Sequence, residues 1–407
     1  MSDTLKEVRL RAKGILPVQK LKMLCDAEII RSKDGYPING DQFQPNSLDL
    51  RLGEVAHRVR SSFLPEKETV EEKIHKLHQY TFSIEDGAIL EPNCVYIIPL
   101  LEELSLPKMH FSPQQKLFNG QSDEGSFRLI AEENLTAKAN PKSTTGRLDI
   151  FTRVITDYSQ RFEEISEGYQ GKLYLEVVPK SFPIKVRTGH RLNQLRIRHG
   201  YTTLSDQDLL RVHNSDPLLF NGKGEPLPAD SLNLHDGLYL SVNLQPEEEG
   251  DGVIGYKAKK HRSLIHLDFI DHYEVRDFWD PIYMRKGDHL ILEPEAFYIF
   301  ASKERCRIPA HLAAEMIPYD TGSGELRTHY AGFFDSGFGG SIDDRGARAV
   351  LEVRSHDVPF LIEDGQTFCS MKFEPNTELP EFIYGSRINS NYQGQGLKLG
   401  KHFKTPG

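Results

Sequence analysis

The chain has 407 residues, enough for two or three modules that each bury a core, and its 38% hydrophobic content with 32 Gly, 23 Pro, 22 Phe and 16 Tyr fits a folded, turn-rich, strand-rich protein. Lys and Arg number 50 against 59 Asp and Glu, a net charge of −9, so no general basic field attracts nucleic acid and any polyanion must be met by a local cluster. Cys25, Cys94, Cys306 and Cys369 form no C-x-x-C pair and no Cys/His zinc spacing, the N-terminus has no apolar signal core and no run approaches ~18 apolar residues, so a reduced, cytoplasmic protein with no membrane partner is expected.

Residues 17–30 space Val18, Leu21, Leu24, Cys25, Ile29 and Ile30 at roughly helical intervals behind Pro17, which predicts a short N-terminal helix. Residues 44–53 place Leu48, Leu50 and Leu52 on one face of a strand and Asp49 and Arg51 on the other, the pattern of an ordinary half-exposed strand. The charged stretch 66–78 reads as a solvated helix or loop, and strand patterns resume from Tyr80 to Leu106.

Next comes the densest stretch, Lys142-Ser143-Thr144-Thr145-Gly146-Arg147. Hydroxyls, backbone N–H groups and two fixed positive charges in one turn can cradle phosphate oxygens. Downstream, Glu176 interrupts an apolar run of Leu, Tyr and Val, where a carboxylate is costly unless it is paired or used.

An internal repeat sets the architecture. Leu90-Glu91-Pro92 with Tyr96-Ile97 recurs 202 residues later as Leu292-Glu293-Pro294 with Tyr298-Ile299, and Leu175-Glu176-Val177 recurs 176 residues later as Leu351-Glu352-Val353. An extra polar loop in the first copy, at 111–134, accounts for the 26-residue difference. The repeat predicts an all-β chain of two domains, 1–205 and 230–407, joined by a linker at 206–229, each a distorted barrel or jelly roll of short strands. In the second copy, 330–340 reads as a glycine-rich hairpin whose small residues let a flat ring approach backbone amides, and the Gly-rich 391–401 reads as a frayed tail or a lid.

Taken together, Ser-Leu-Asp-Leu-Arg-Leu-Gly at 47–53, Lys-Ser-Thr-Thr-Gly-Arg-Leu-Asp at 142–149, Gly-Tyr-Gln-Gly at 168–171, Ala-Gly-Phe-Phe-Asp-Ser-Gly-Phe-Gly-Gly at 331–340 and Tyr-Gln-Gly-Gln-Gly at 392–396 resemble the dCTP deaminase and dUTPase superfamily. The likeness is strongest to its double-length dCTP deaminases. The resemblance implies tandem dUTPase-like barrels assembled around threefold axes with sites at subunit boundaries, hence a homo-oligomer, with three two-domain chains closing such a ring. It also implies hydrolytic deamination of dCTP to dUTP and ammonia, magnesium carried on the triphosphate, and no zinc.

By position, Ser143 and Arg147 match the family's catalytic Ser and Arg, Lys142 stands in place of an Arg, and Thr144 and Thr145 complete the phosphate turn. Glu176 and Glu352 both match the catalytic Glu, Ala331, Gly332, Phe333 and Asp335 match the base-reading hairpin, and Tyr392 and Gln395 match the closing tail. Two departures follow. The second copy has Pro318-Tyr319-Asp320-Thr321-Gly322 where the phosphate turn should stand, and the first has Thr156-Asp157-Tyr158 opposite Ala331-Gly332-Phe333. One composite site is therefore expected, with Ser143, Thr144 and Arg147 from the first copy and 331–335, Glu352 and the tail from the second, Glu176 being a structural relic. A dUTP diphosphatase or a bifunctional enzyme using Asp335 is the nearest alternative, and a silent nucleotide-binding protein the next.

Overall fold

Alternating apolar residues broken by Gly, Pro, Asn and Asp place most of the chain in strands, and the repeat proves to be structural. A computed structural model describes residues 6–108, 116–122, 125–246, 251–260, 263–284, 289–318, 326–328, 332–340, 345–355, 358–386 and 396–405. In the first module the strand Val95–Ser105 lies antiparallel to Gln170–Pro179, with Ile98 opposite Leu175 and Ile97 opposite Glu176. In the second, Phe297–Cys306 lies antiparallel to Ala347–Ser355, with Phe300 opposite Leu351 and Ile299 opposite Glu352. The two glutamates hold the same rung of the same ladder.

Beside this ladder each module has a second layer. Leu135–Pro141 pairs with Arg191–His199, which also receives Leu48–Arg51, and in the other module Leu312–Pro318 pairs with Thr367–Pro375, which receives Leu238–Asn243. The fold is all-β, with a short helix, Val18–Asp26, where the 17–30 pattern places one.

Several expectations change. The 26 extra residues of the first copy do lie before Leu135, but they form a hairpin of Lys116–Ser122 and Gly125–Ala131, to which Lys6–Leu10 adds in parallel, rather than a loop. Within the charged stretch 66–78 the expected helix forms, Val70–Leu77 behind a Thr69/Glu72 capping box, but it is not wholly solvated, since it buries Val70 and Ile74. Residues 206–229 are not a linker: the helix Asp206–Ser215 buries Leu209, and Leu218 and Leu219 join the second core, Leu219 pairing with Cys306.

The alignment of 156–158 with 331–333 is also corrected, because Glu164–Ile165 pairs with Ala137 and Lys138 just as Gly332–Phe334 pairs with Met316 to Ala314. The counterpart of the hairpin strand is therefore 163–165. Strand 48–51 is not half-exposed either: Asp49 and Arg51 are as buried as their leucine neighbours, and each is compensated, Asp49 by Lys142 and Arg51 by Glu102 at 2.7 Å.

The first module's core extends into the second. Tyr256, Trp279, Phe297, Val350 and Phe403 pack with the first module's Phe182, Leu175 and Leu148. Around it runs a belt of cations from the first module against carboxylates from the second: Arg196 with Asp335 at 2.8 Å, Arg198 with Glu374 at 2.9 Å, and Lys138 with Glu315 at 2.6 Å. Most of these groups are buried, so the pairing fixes how the modules meet. Among the described residues no helix is long and apolar enough to cross a membrane.

Candidate active site

The turn at 142–147 folds as a five-residue helix, Ser143–Arg147, with Lys142 at its N-cap. At 3.6 residues per turn, Ser143, Gly146 and Arg147 fall on one face and Thr144, Thr145 and Leu148 on the other. The first face meets the second module. A Cβ built on Gly146 would lie 2.2 Å from Oε2 of Glu352 and 2.7 Å from its Oε1, so only glycine lets the carboxylate sit there. Arg147 is buried on the same face, and its Nη1 donates to the carbonyl oxygen of Lys398 at 2.8 Å. Ser143 is exposed at the start of the turn.

Glu352 keeps a rim of exposure along its strand, but its carboxyl is desolvated. Burial pushes it up to about 8, Arg147 pulling the other way and Asp149 adding to the rise. A carboxyl poised there exchanges protons with water and with an amine near neutrality.

The second face of the turn lines a cavity of about 290 Å³ with Asp49, Ile150, Gly189, His190, Arg191, Leu192, Leu267, Lys401 and His402. Its charge is lopsided: Lys142, Arg191 and Lys401 surround one carboxylate, Asp49. Burial, then the repulsion of Lys142 and Arg191, holds Lys401 below the usual lysine range, and burial pushes His402 down to about 4. Like charges crowded in this way favour an anionic guest. Lys142 forms an ion pair with Asp49, whereas the hydroxyl of Thr145 is committed to the carbonyl oxygen of Leu192 at 2.7 Å.

The remaining expected residues divide. Glu176 is fully buried and tied to its cross-strand neighbour Arg153, whose Nε lies 3.0 Å from Oε1 and whose guanidinium stacks 3.5 Å over Phe162. The glutamate that meets the turn is therefore Glu352. Asp335, expected in the substrate hairpin, is buried in the belt against Arg196, and burial pushes its carboxyl up against that guanidinium's pull. Gly332 lies on the hairpin strand, and Phe333 sits 4.1 Å beneath the Arg196 guanidinium. Ala331, Tyr392 and Gln395 lie outside the described residues.

Beyond 395 the tail is neither frayed nor free. Leu399 and Phe403 are buried, Gly400 packs on Arg147 and Leu148, and the backbones of Lys401 and His402 accept from Asp271, His272 and Tyr273. Asp49, Arg191, Lys401 and His402 line the candidate site and were not singled out by sequence reasoning. Among the described residues no three His, Cys, Asp or Glu side chains gather as a metal-ligand set.

Fold and site together define a class: tandem all-β modules with a desolvated carboxyl from one meeting a cationic turn from the other. Family models agree with that division. The 2'-deoxycytidine 5'-triphosphate deaminase N-terminal domain matches residues 12–123 and 124–201, and the C-terminal domain of the same family matches 205–403. A crystal structure of 2'-deoxycytidine 5'-triphosphate deaminase from Agrobacterium tumefaciens is similar at 41% identity, covering 92% of this chain and 98% of that one with a TM-score of 0.79. A dCTP deaminase of Natronomonas pharaonis is 29% identical over 125 residues, 30% of this chain and 60% of that protein. A dUMP-forming dCTP deaminase of Coprothermobacter proteolyticus is 31% identical over 135 residues, 32% of this chain and 68% of that protein. The chain belongs to the dCTP deaminase family.

Proposed function

We propose that the chain hydrolyses dCTP to dUTP and ammonia at one composite site formed by its own two modules. The observation that carries this reading is the seat of the Glu352 carboxylate on Gly146, beside Arg147. Glu352 takes a proton from water as the oxygen attacks C4 of cytosine, and passes it to N3. The adduct's hydroxyl proton then returns through Glu352 to the amino group, C4–N breaks, and ammonia leaves. Ser143, on the Gly146 face of the turn, holds the water, and Arg147 opposes charge on the carboxylate between the two transfers. Acid-base catalysis of this kind contributes ~10²–10⁴-fold, with orientation supplying much of the rest.

The cavity with Lys142, Arg191 and Lys401 takes the triphosphate. Magnesium enters as part of that substrate, and Asp49 fits it: Oδ1 is buried with no hydrogen-bond partner while Oδ2 is held by Lys142.

The test is one incubation of the full chain with dCTP, dUTP and CTP, read by chromatography and an ammonia assay. Ammonia with the triphosphate retained supports the reading. The second reading, phosphohydrolysis in addition to deamination, has the dUMP-forming relative in its favour and the engagement of Asp335 with Arg196 against it. Release of pyrophosphate from dUTP would establish it.

A further inference from the structure

Two residues beyond Arg147 stands Asp149, and two residues beyond Glu352 stands Arg354. On a strand, positions i and i+2 share a face, so Glu352 and Arg354 look the same way, while Leu351 and Val353 fill the core behind them. Arg354 reaches across the module boundary. Its Nη2 pairs with Oδ2 of Asp149, which also accepts from Ser181 at 2.5 Å, and its Nη1 donates to the carbonyl oxygen of Glu295.

Asp149 is fully buried and holds a left-handed backbone, φ 55°, at the exit of the turn. Its own N–H returns to the carbonyl oxygen of Gly146 at 2.8 Å. A non-glycine residue in that conformation is strained and persists where its surroundings fix it. The result is a square of alternating charge: Arg147 and Asp149 on one module, Glu352 and Arg354 on the other.

The first module lacks the corresponding corner. Glu176 is followed by Val177 and Val178, so no arginine stands at its i+2 position, and Glu176 takes its charge partner from Arg153 on the adjacent strand. The cross-module pair therefore accompanies the glutamate that meets the turn and is missing beside the glutamate that does not.

We propose that Asp149 and Arg354 are positioning residues for Glu352, an ion pair that fixes where the 143–147 turn sits on the second module and which charges the Glu352 carboxyl faces. This rests on the reading that Glu352 is the acid-base group. Neither residue touches substrate. Asp149 places a negative charge near Glu352, and Arg354 offsets it.

The test uses the full chain carrying Asp149→Asn, Arg354→Met, Arg354→Lys and the double variant Asp149→Asn/Arg354→Met. Two readouts are taken: the pH dependence of kcat/KM for ammonia release from dCTP, and titration of the Glu352 carboxyl by carbon NMR, assigned with Glu352→Gln. Removing the negative corner moves the Glu352 titration to lower pH by about one unit, and removing the positive corner moves it up by a similar amount. In the double variant, which leaves neither charge buried alone, it returns close to the wild-type position. Plateau kcat falls about tenfold or more in each single variant while KM for dCTP changes less than about threefold, and Arg354→Lys recovers part of the loss.

Titrations that stay in place, or that move the same way in both single variants, overturn the proposal even if activity or stability falls. Should a single variant fail to fold, the double variant and Arg354→Lys still decide it. A lysine that restores stability without restoring kcat counts against positioning. Absence of ammonia from the wild-type chain refutes the deaminase reading instead, and the carboxyl titration still judges the pair.

Discussion

Glycine at 146 is required by a neighbour rather than by its own backbone. Any β-carbon there collides with the Glu352 carboxylate, so Gly146→Ala must push the two modules' groups apart by about an ångström. Ammonia release should fall at least ~100-fold in that variant, with the melting temperature little changed. Glu352→Gln should lose ~10²–10⁴-fold in turnover while still binding dCTP. Glu176→Gln should keep turnover within about threefold and cost about 1–3 kcal/mol, because the half-buried Arg153 guanidinium loses its charged partner.

The pH behaviour follows from the same side chain. A carboxyl held near 8 in the fold against 4.5 when exposed disfavours folding increasingly as pH climbs between those values. Glu352→Gln should therefore be more stable than wild type at pH 8, by on the order of 3 kcal/mol, with the difference gone below about pH 4.5. The acidic limb of kcat/KM should lie near 8. What the sequence could show here was equivalence: the Leu-Glu-Val repeat marks both glutamates. What separates them is their partners outside the repeated tripeptide, Arg153 on the adjacent strand beside one and Gly146 from the other module beside the other. Asp49 was misread for the same reason, since its compensating cation is Lys142, 93 residues away.

At the scale of elements, the ladders were legible because they repeat in register, and the 142–147 turn stood out because its polar and cationic chemistry is compressed into six residues. The segment 206–229 was not. Its Gly and Pro residues resemble a linker, yet Leu218 and Leu219 are claimed by the second core, a tertiary choice that outweighs composition. The glycines of 391–401 read as a frayed tail or a lid, and of that stretch its described end, with 399–403, is not frayed but anchored by burial and backbone bonds to 271–273. That anchoring brings Lys401 into the cavity. Lys401→Ala should raise KM for dCTP about tenfold, the worth of one charge-assisted contact, with kcat within about twofold in steady-state kinetics.

For the whole molecule, the proposed reading places both halves of the site in one chain, where the family likeness implies sites at subunit boundaries. In that reading, the boundary that forms the site is the one between modules. Calorimetric titration of the Glu352→Gln variant should give one dCTP per chain, and specific activity should not fall on dilution. Two nucleotides per chain, or activity that disappears as the enzyme is diluted, would mean that a neighbouring chain completes the site.

The junction also contains the protein's only tryptophan. Trp279 is fully buried, with its ring centroid 5.5 Å from Phe182 of the first module, 6.0 Å from Phe297 and 5.8 Å from Phe403 of the tail. Intrinsic fluorescence is thus a built-in gauge of whether the halves are docked: emission should be blue-shifted in the native state and move to the red when the contact opens, whichever module melts first. A chemist following that single wavelength would be watching the two modules come together.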